Sequence, residues 1–330
     1  TFGYKFIESM KLIQVRGQPI RDDGPESHII RKKGTPSMGG LLILFSFFFS
    51  TFLWADITNV YIGIILLTAL LFGFLGFLDD MKKIREQDPK GLSSYQKITI
   101  QILFSMIIIY LISSQSNLEF RYSLSIPFIT GTVLVGLLFY YVFTCLVIIG
   151  SSNAVNLTDG LDGLVAGSSS VSFGAILIIS FWIFRHPDYY SKFINHVFIS
   201  VELAVLISSI AGSCLGFLWW NTNPAKIIMG DVGSQFIGSM FPLILFAIGA
   251  DTLIIFFCFL YIVEAMSVII QVLSFKYRGK RVFKMTPIHH HFEMSNWAET
   301  TIIVRFWIIN GIVIVIGLGL FYGDWVLFGN

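Results

Sequence analysis

The segment NVYIGIILLTALLFGFLGFLDDMKK spans residues 59–83. Its first part, residues 59–78, is uncharged and largely apolar, and it is followed directly by two aspartates and, after Met81, two lysines. A helix of about 20 apolar residues spans the hydrocarbon core of a bilayer, which is about 30 Å thick. Such runs recur along the chain, in which 55% of the residues are hydrophobic and only 13% are charged. A soluble domain carries about 25% charged residues. The sequence therefore predicts an all-α integral membrane protein, a single polytopic helical bundle over residues 1–330.

The apolar runs predict nine membrane-spanning helices. They lie near 37–56, 59–78, 98–114, 128–149, 164–184, 198–218, 232–250, 252–274 and 301–322. Residues 117–127 alternate apolar and polar side chains, which predicts a small hairpin outside the bilayer. The three cysteines are scattered through apolar runs without a C-x-x-C motif, and this argues against a disulfide framework or a zinc site.

Lysine and arginine are distributed unevenly between the two ends of these spans. With residues 1–36 placed in the cytoplasm, 18 of the 22 Lys and Arg residues fall on the cytoplasmic side and three on the other side. An excess of positive charge is typical of cytoplasmic loops. Four polar clusters then share the cytoplasmic face, at 79–83, 152–163, 221–234 and 286–293.

Asp79 and Asp80 are adjacent carboxylates at the end of an apolar helix. Because adjacent carboxylates repel, they need a cation, a shared proton or full solvation. Mg²⁺ is usually held by one or two carboxylates together with substrate phosphates, so one interpretation is a magnesium–phosphate site. A solvated helix end is the alternative.

Two glycine-containing segments carry further aspartates. In NLTDGLDG (156–163), Asp159 and Asp162 would share a face if the segment were helical. In MGDVGS (229–234), Asp231 stands where an apolar helix begins, and a helix N-terminus favours anions. Glycines also let the backbone approach a ligand closely. Asx-turns and simple helix caps are the alternatives.

Three consecutive histidines, His289, His290 and His291, cannot all bind one metal from a helix, because neighbouring side chains do not face each other. We interpret them as ligands for phosphate or sugar oxygens, with a polar loop as the alternative. Glu264 and Gln271 lie on one stripe of a membrane helix. A carboxylate there is either functional or part of the packing between helices.

Seven sequence words occur in an order typical of one enzyme superfamily. They are DDGPESH (22–28), KKGTPSMGG (32–40), FLGFLDDMKK (74–83), NAVNLTDGLDGL (153–164), MGDVGS (229–234), VEAMSVIIQV (263–272) and TPIHHHFE (286–293). Together they cover the chain nearly end to end, and the chain resembles the polyprenyl-phosphate N-acetylhexosamine-1-phosphate transferases. The HHHFE and DDGPESH words are similar to the branch that acts on a muramoyl-pentapeptide rather than on N-acetylglucosamine.

The resemblance implies a ten-helix fold, in which residues 1–15 look like the end of a first helix before the nine predicted here. It also implies a homodimer in the bacterial inner membrane, with Mg²⁺ as cofactor and the active site facing the cytoplasm. No nucleic-acid partner is expected. The implied reaction transfers phospho-MurNAc-pentapeptide from UDP-MurNAc-pentapeptide to undecaprenyl phosphate. Its products are lipid I and UMP, in the first membrane step of peptidoglycan synthesis.

Matched position by position, the resemblance implies that Asp79, Asp80 and Asp231 are catalytic aspartates and that Asp231 binds Mg²⁺. His290 is expected to be catalytic as well. Further active-site or nucleotide-pocket positions match Lys33, Lys83, Lys97, Asn156, Asp159, Asp162, Asn221 and Gln271. His289 and His291 are expected to bind substrate with them. The chain departs from the family at Ile228, where a phenylalanine that stacks on uracil is common.

Two other functions remain open from the sequence. The first is a sibling transferase that uses UDP-N-acetylglucosamine as donor. The second is an ion-coupled transporter, which would bind its substrate near the midplane of the membrane, between broken helices. The carboxylates of this chain cluster at helix ends on one face, which favours an enzyme at the membrane surface.

Overall fold

The computed structural model describes residues 2–14, 17, 34–115, 122–126, 128, 132–191 and 199–328. Lys33 and the DDGPESH word lie outside these described residues. In chain order the elements are α1 (Phe2–Ile13), α2 (Gly40–Trp54), α3 (Val60–Glu86), α4 (Ser94–Gln115), β1 (Ser123–Ser125), β2 (Thr132–Leu134), α5 (Leu137–Thr158), α6 (Leu164–Arg185), α7 (Pro187–Tyr190), α8 (Ile199–Asn221), α9 (Gly230–Ala247), a 3₁₀ turn (Asp251–Leu253), α10 (Ile254–Phe257), α11 (Phe259–Arg278), α12 (Ile288–Glu293) and α13 (Glu299–Phe328).

Seven of the described helices are long and apolar enough to cross a membrane, namely α3, α4, α5, α6, α8, α11 and α13. They confirm the prediction of an all-α polytopic membrane protein. Two further predicted spans correspond to α2, which has 15 residues, and to α9, which is buried from Gly230 to Leu245. The totals of nine spans in this chain and ten in the family stay predictions.

Two predicted element boundaries are wrong. The helix predicted at 128–149 begins only at Leu137, because the residues before it pair as an antiparallel hairpin in which Val133 lies opposite Leu124. Its β-branched Thr132 and Val133 favour a strand. Of the hairpin predicted at 117–127, the structure shows one strand, Ser123–Ser125, which pairs with Thr132–Leu134 outside that range, and residues 117–121 and 127 lie outside the described residues. The span predicted at 252–274 is interrupted by the 3₁₀ turn and by α10, and α11 starts only at Phe259.

Helix α9 lies at the centre of the bundle and packs against α3, α5 and α2. Its contacts with α3 and α2 include close backbone-to-backbone approaches. A Cβ added at Gly76 of α3 would clash with the carbonyl oxygen of Asp231, and one added at Gly40 of α2 would clash with the amide nitrogen of Gly233. Small residues allow helices in a membrane to approach this closely. These crossings bring the end of α3 to the beginning of α9.

A buried polar network joins α4, α5 and α9 one turn below Asp231. The Nε2 of Gln101 donates to the Oε1 of Gln235 at 2.8 Å, and the hydroxyl of Ser152 donates to the same oxygen. Asn153 Nδ2 donates in turn to Gln101 Oε1 at 2.9 Å. Because water is absent from the hydrocarbon core, such side chains must satisfy one another. The network therefore fixes the register of the three helices.

Candidate active site

Three aspartates meet at one end of the bundle. Asp79 and Asp80 come from the last turns of α3, and Asp231 comes from the first turn of α9. Each offers a carboxylate oxygen, and these three oxygens all lie within 4.8 Å of one another. All three residues are buried. The structure therefore brings together two aspartate motifs that are far apart in the sequence.

Two lysines reach into this acidic cluster. Lys83 Nζ lies 2.6 Å from Asp79 Oδ2, 2.8 Å from Asp231 Oδ1 and 3.8 Å from Asp80 Oδ1. Lys97 Nζ, from α4, lies 2.7 Å from Asp231 Oδ2 and 3.0 Å from Asp79 Oδ2. Two ammonium groups thus face three carboxyl groups. An assembly of this kind can bind both a divalent cation and phosphate oxygens.

The loop between α3 and α4 wraps around Asp79. The backbone N–H of Leu92 donates to Asp79 Oδ1 at 2.7 Å. Gly91 has a φ of +62°, and a Cβ at this position would come within 2.6 Å of the same oxygen. Glycine is therefore required here both by the backbone conformation and by the carboxylate. The loop holds Asp79 and also places Lys97, which follows at the start of α4.

Asp80 is held from the opposite side, and its surroundings include a serine that the sequence did not single out. The N–H of Val232 donates to Asp80 Oδ2 at 3.1 Å. A Cβ at Gly230 would clash with this oxygen and would lie 2.8 Å from Ser37 Oγ. Ser37 is buried and clamped by Gln14, whose amide exchanges hydrogen bonds of 2.8 and 3.1 Å with its backbone. The only sequence signal for Ser37 is its place in the KKGTPSMGG word.

The NLTDGLDG segment is not one helix. Helix α5 ends at Thr158 and Asp159 forms its C-cap, so Asp159 and Asp162 do not share a helical face. Asp162 Oδ2 instead accepts the N–H of Ala225 at 3.0 Å. Asn156, still within α5, donates to the hydroxyl of Ser234 on α9 at 2.9 Å. The two aspartates are therefore positioned by a loop, and only Asn156 is positioned by the helix.

Two predicted site residues, Asn221 and Gln271, bind backbone. Asn221 Oδ1 accepts the N–H of Gly163 at 3.0 Å, and its Nδ2 donates to the carbonyl of Ile227 at 2.9 Å. Gln271 makes three hydrogen bonds with the backbone of residues 282–283, each of 2.9 to 3.0 Å. Both amides therefore fix the paths of loops on the side of the bundle that carries the acidic cluster.

The three consecutive histidines point in different directions from the short helix α12. His289 turns inward and is fully buried. His290 Nδ1 lies 2.6 Å from Glu293 Oε2, and His291 Nδ1 accepts the backbone N–H of Lys284 at 3.1 Å. Each imidazole therefore has its own environment, which is the outcome expected for neighbours on a helix.

Ile228, the position at which the resemblance led us to expect a phenylalanine, is half-buried and lies three residues before Asp231. Its N–H donates to the carbonyl of Pro36 at 2.9 Å, and its own carbonyl accepts the N–H of Gly39 at 2.9 Å. These bonds attach the segment before α2 to the segment before α9. Both bonds involve only backbone atoms of Ile228, so they hold the backbone here independently of the side chain.

Comparison with known proteins gives matches over most of the chain. Glycosyl transferase family 4 matches residues 61–249, which include all three aspartates and both lysines. A phospho-N-acetylmuramoyl-pentapeptide-transferase signature matches residues 32–44. The phospho-N-acetylmuramoyl-pentapeptide-transferase of Rhodopseudomonas palustris (strain BisA53) is 42% identical over 319 residues, which cover 96% of this chain and 88% of that protein. The chain therefore belongs to the phospho-N-acetylmuramoyl-pentapeptide-transferase family.

Proposed function

We propose that this protein transfers phospho-MurNAc-pentapeptide from UDP-MurNAc-pentapeptide to undecaprenyl phosphate, producing lipid I and UMP at the cytoplasmic face of the bacterial inner membrane. The observation that carries the proposal is the convergence of three carboxylates and two ammonium groups at one end of a membrane bundle. Phosphoryl transfer depends mainly on neutralising charge and on aligning the reacting groups. A membrane-bound acceptor explains why this chemistry is built into transmembrane helices.

The acidic cluster fits a hard divalent cation. Its three carboxylates supply the oxygen ligands that Mg²⁺ prefers. Asp80 Oδ1 is buried and has no hydrogen-bond partner among the described residues, so a ligand would satisfy it. We assign Asp231 as the principal ligand, with Asp79 and Asp80 beside it. When bound, Mg²⁺ would offset the charge of the donor pyrophosphate and of the departing UMP.

The lysines and Asp79 have separate roles in the proposed reaction. Lys83 and Lys97 bind phosphate oxygens, because their ammonium groups already point into the cluster from α3 and α4. Asp79 accepts the proton of the lipid phosphate. The freed oxygen then bonds to the sugar-bearing phosphorus, and the bond from that phosphorus to the oxygen of UMP breaks. Asp79 lies beside both lysines. Their two ammonium groups therefore offset the negative charges of the Asp79 carboxylate and of the phosphate groups.

The donor nucleotide, sugar and peptide require contacts beyond the acidic cluster. We propose that the residues that bind or enclose the donor are Lys33, Asn156, Asp159, Asp162, Asn221, Gln271, His290 and His291. Asn221 and Gln271 act by shaping loops, since their amide groups bind backbone. His290 acts with Glu293, which holds its Nδ1.

A reconstituted assay tests the proposed function. The purified protein is mixed with UDP-MurNAc-pentapeptide and undecaprenyl phosphate, with Mg²⁺ or with EDTA, and UMP and lipid I are measured by mass spectrometry. We expect both products with Mg²⁺ and neither with EDTA. Product from UDP-N-acetylglucosamine alone would identify the sibling transferase. Binding of a nucleotide sugar without release of UMP would favour a transporter.

The family resemblance also supports a homodimer, which we propose as the form present in the membrane. Crosslinking in native membranes, followed by mass measurement in detergent, tests this assignment. A species of twice the chain mass is expected, and a monomer at all protein concentrations would contradict it.

A further inference from the structure

A buried carboxyl–imidazole pair lies outside the acidic cluster. Glu264 is in α11 and His289 is in α12, and both side chains are 0% exposed. Glu264 Oε2 lies 3.0 Å from His289 Nδ1 and also accepts the backbone N–H of His289 at 3.4 Å. Fully buried acidic side chains are rare unless they are paired. The pair therefore ties the beginning of α12 to the membrane helix α11.

The other edge of the imidazole faces the aspartate loop. A Cβ added at Gly160 would clash with His289 Nε2, so the Gly160 backbone lies directly against the ring. Gly160 does not have a positive φ, and its backbone conformation is therefore open to other residues. Proximity to the ring is the reason that a side chain is excluded at this position. The imidazole acts as a spacer between α12 and the loop of residues 159–163.

Polar atoms of the pair are left without hydrogen bonds. His289 Nε2 and Glu264 Oε1 have no hydrogen-bond partner among the described residues, and the contact between Nδ1 and Oε2 has ion-pair distance without hydrogen-bond alignment. Unsatisfied buried polar atoms cost about 1–3 kcal/mol each. An apolar pair of similar volume would pack α11 against α12 without this cost. Simple packing between helices therefore does not account for these two residues.

We propose that Glu264 and His289 form a positioning pair for donor binding. Glu264 holds the imidazole, and the imidazole sets the distance between α12, which carries His290, and the loop that carries Asp159. Neither member of the pair touches substrate, because both are fully enclosed by protein. The inference rests on the proposed function, in which Asp159 and His290 bind the donor. It changes the expected role of His289 from substrate binding to positioning.

A steric double-mutant cycle tests the spacer. Gly160→Ala forces a methyl group against His289, and we expect it to raise the KM for UDP-MurNAc-pentapeptide about tenfold, within the range of overpacking by one methyl. The KM for undecaprenyl phosphate should stay unchanged. In a His289→Ala background the same methyl has room, so the added effect of Gly160→Ala should disappear. Gly150→Ala is the matched control in α5, because nothing lies within 4 Å of a Cβ there.

Conservative variants test the polar part of the pair. His289→Asn keeps a nitrogen near the Nδ1 position, facing Glu264, whereas His289→Gln keeps one near the Nε2 position, facing Gly160. We expect Asn to retain more donor affinity than Gln, and Glu264→Gln to have no further effect in a His289→Ala background. If His289→Ala cannot be purified, His289→Asn replaces it as background, since it also vacates the space beside Gly160.

The readouts separate positioning from a purely structural role and from failure of the proposed function. Donor dissociation constants from calorimetry need no turnover, and melting temperatures report folding. Non-additive changes confined to the donor support the pair. Additive changes, or equal losses for both substrates together with a lower melting temperature, would overturn it. Donor binding by the unmodified protein without formation of lipid I would instead reject the proposed function, while the coupling between the two residues could still be measured.

Discussion

Among single residues, Asp231 has the most connected position in the acidic cluster. Its two carboxylate oxygens each hold a different ammonium group, that of Lys83 at 2.8 Å and that of Lys97 at 2.7 Å. Asp79 contacts the same two lysines, but through one oxygen. Asp231 is thus the residue through which α3, α4 and α9 meet. Its loss would remove one carboxylate from the cluster and a shared partner of both lysines.

We expect Asp231→Ala to abolish transfer and to weaken Mg²⁺ binding while the protein stays folded in detergent. The substitution removes a hard oxygen ligand but no apolar packing. Calorimetric titration with Mg²⁺, product assays and a melting curve measure the three effects. Glu86→Gln is the matched control, because Glu86 is an exposed carboxylate at the end of the same helix as Asp79. Near-normal turnover in the Asp231 variant would remove it from the metal-binding role.

At Ile228, replacement by phenylalanine should tighten binding of uridine nucleotides. A ring at this position could stack on uracil, and stacking of a base on an aromatic side chain is worth about 1–3 kcal/mol. The hydrogen bonds of the Ile228 backbone with Pro36 and Gly39 fix the point from which the new ring extends. The dissociation constant of UDP is measured by calorimetry, with Ile228→Leu as control. Unchanged or weaker binding would mean that uracil lies elsewhere.

Residue type and motif order were enough to select, as candidates, the charged side chains that meet at one end of the bundle. Asp79, Asp80 and Asp231 lie in one cluster with Lys83 and Lys97, which the sequence analysis also names, and the roles of these five residues stay predictions. The sequence could not indicate the backbone donors of Leu92 and Val232, because every residue except proline carries an N–H. The contacts of Asn221 and Gln271 were equally hidden, since they depend on how loops pass each other.

Among the elements, the crossing of α3 and α9 determines whether the site exists. Gly76 lies against the carbonyl of Asp231, three and four residues before the two aspartates of α3. Any side chain at Gly76 must push the helices apart, and this would move Asp79 and Asp80 away from Asp231.

Gly76→Ala should therefore impair both folding and transfer. Overpacking typically costs about 1–3 kcal/mol, and the carboxylates would separate in addition. Gly63→Ala in the same helix should have little effect, because nothing lies within 4 Å of a Cβ there. Both variants are compared by thermal melting in detergent and by Mg²⁺ affinity. Equal behaviour of the two would show that the crossing tolerates a methyl group.

The hairpin outside the long helices is held by a buried carboxyl group. Asp251 Oδ2 accepts the N–H of Ser125 at 2.7 Å, and Thr252 donates to the carbonyl of Ser125 at 3.1 Å. Burial raises the pKa of Asp251 to about 7. The unfolded chain releases this proton near pH 3.9. The contribution of Asp251 to stability is therefore fully present below about pH 4 and is lost as the pH rises through 7.

Asp251→Asn should flatten this pH dependence. The amide keeps an acceptor for Ser125 but cannot ionise, so the melting temperature of the variant should fall less than that of the unmodified protein between pH 5 and pH 8. Asp56→Asn is the control. The pKa of exposed Asp56 is lowered by its hydrogen bonds from Thr58, so it stays ionised throughout this range. Parallel melting curves for Asp251→Asn and the unmodified protein would contradict the prediction.

Helix boundaries were less predictable than the helices themselves. Apolar runs located the long helices, but the start of α5 and the break before α11 were missed. In both places apolar residues continue through a change of structure, from strand to helix or from 3₁₀ turn to helix. Hydropathy does not distinguish these conformations. The hairpin before α5 is instead stabilised by the pairing of its two strands and by the hydrogen bond from Ser125 to Asp251 in the 3₁₀ turn.

For the whole molecule, the orientation prediction rests on the uneven distribution of lysine and arginine. Lys280 and Ser191 are both exposed and lie at opposite ends of the predicted topology. In a background without the three native cysteines, Lys280→Cys should react with a membrane-impermeant maleimide only in inside-out vesicles. Ser191→Cys should react only in right-side-out vesicles. Labelling of both from the same side would overturn the topology.

Composition and charge predicted the class of the molecule, but they could not predict which helices touch. The central place of α9 follows from glycines, a buried amide network and close crossings, and these emerge only when the bundle is assembled. The distance between helices along the sequence did not indicate which of them are neighbours, because α9 packs against helices that precede it by about 70 to 190 residues.

The enclosure of α9 has a consequence for biogenesis. A segment shielded from lipid on all sides need not be apolar enough to enter the bilayer alone, and α9 carries Asp231 and Gln235 at its start. The ribosome completes α2, α3 and α5 before it reaches α9, so the helices that α9 contacts are synthesised first. Asp231 arrives last among the three aspartates. A nascent chain therefore carries only two of the three clustered carboxylates until α9 has been synthesised and has packed against these helices.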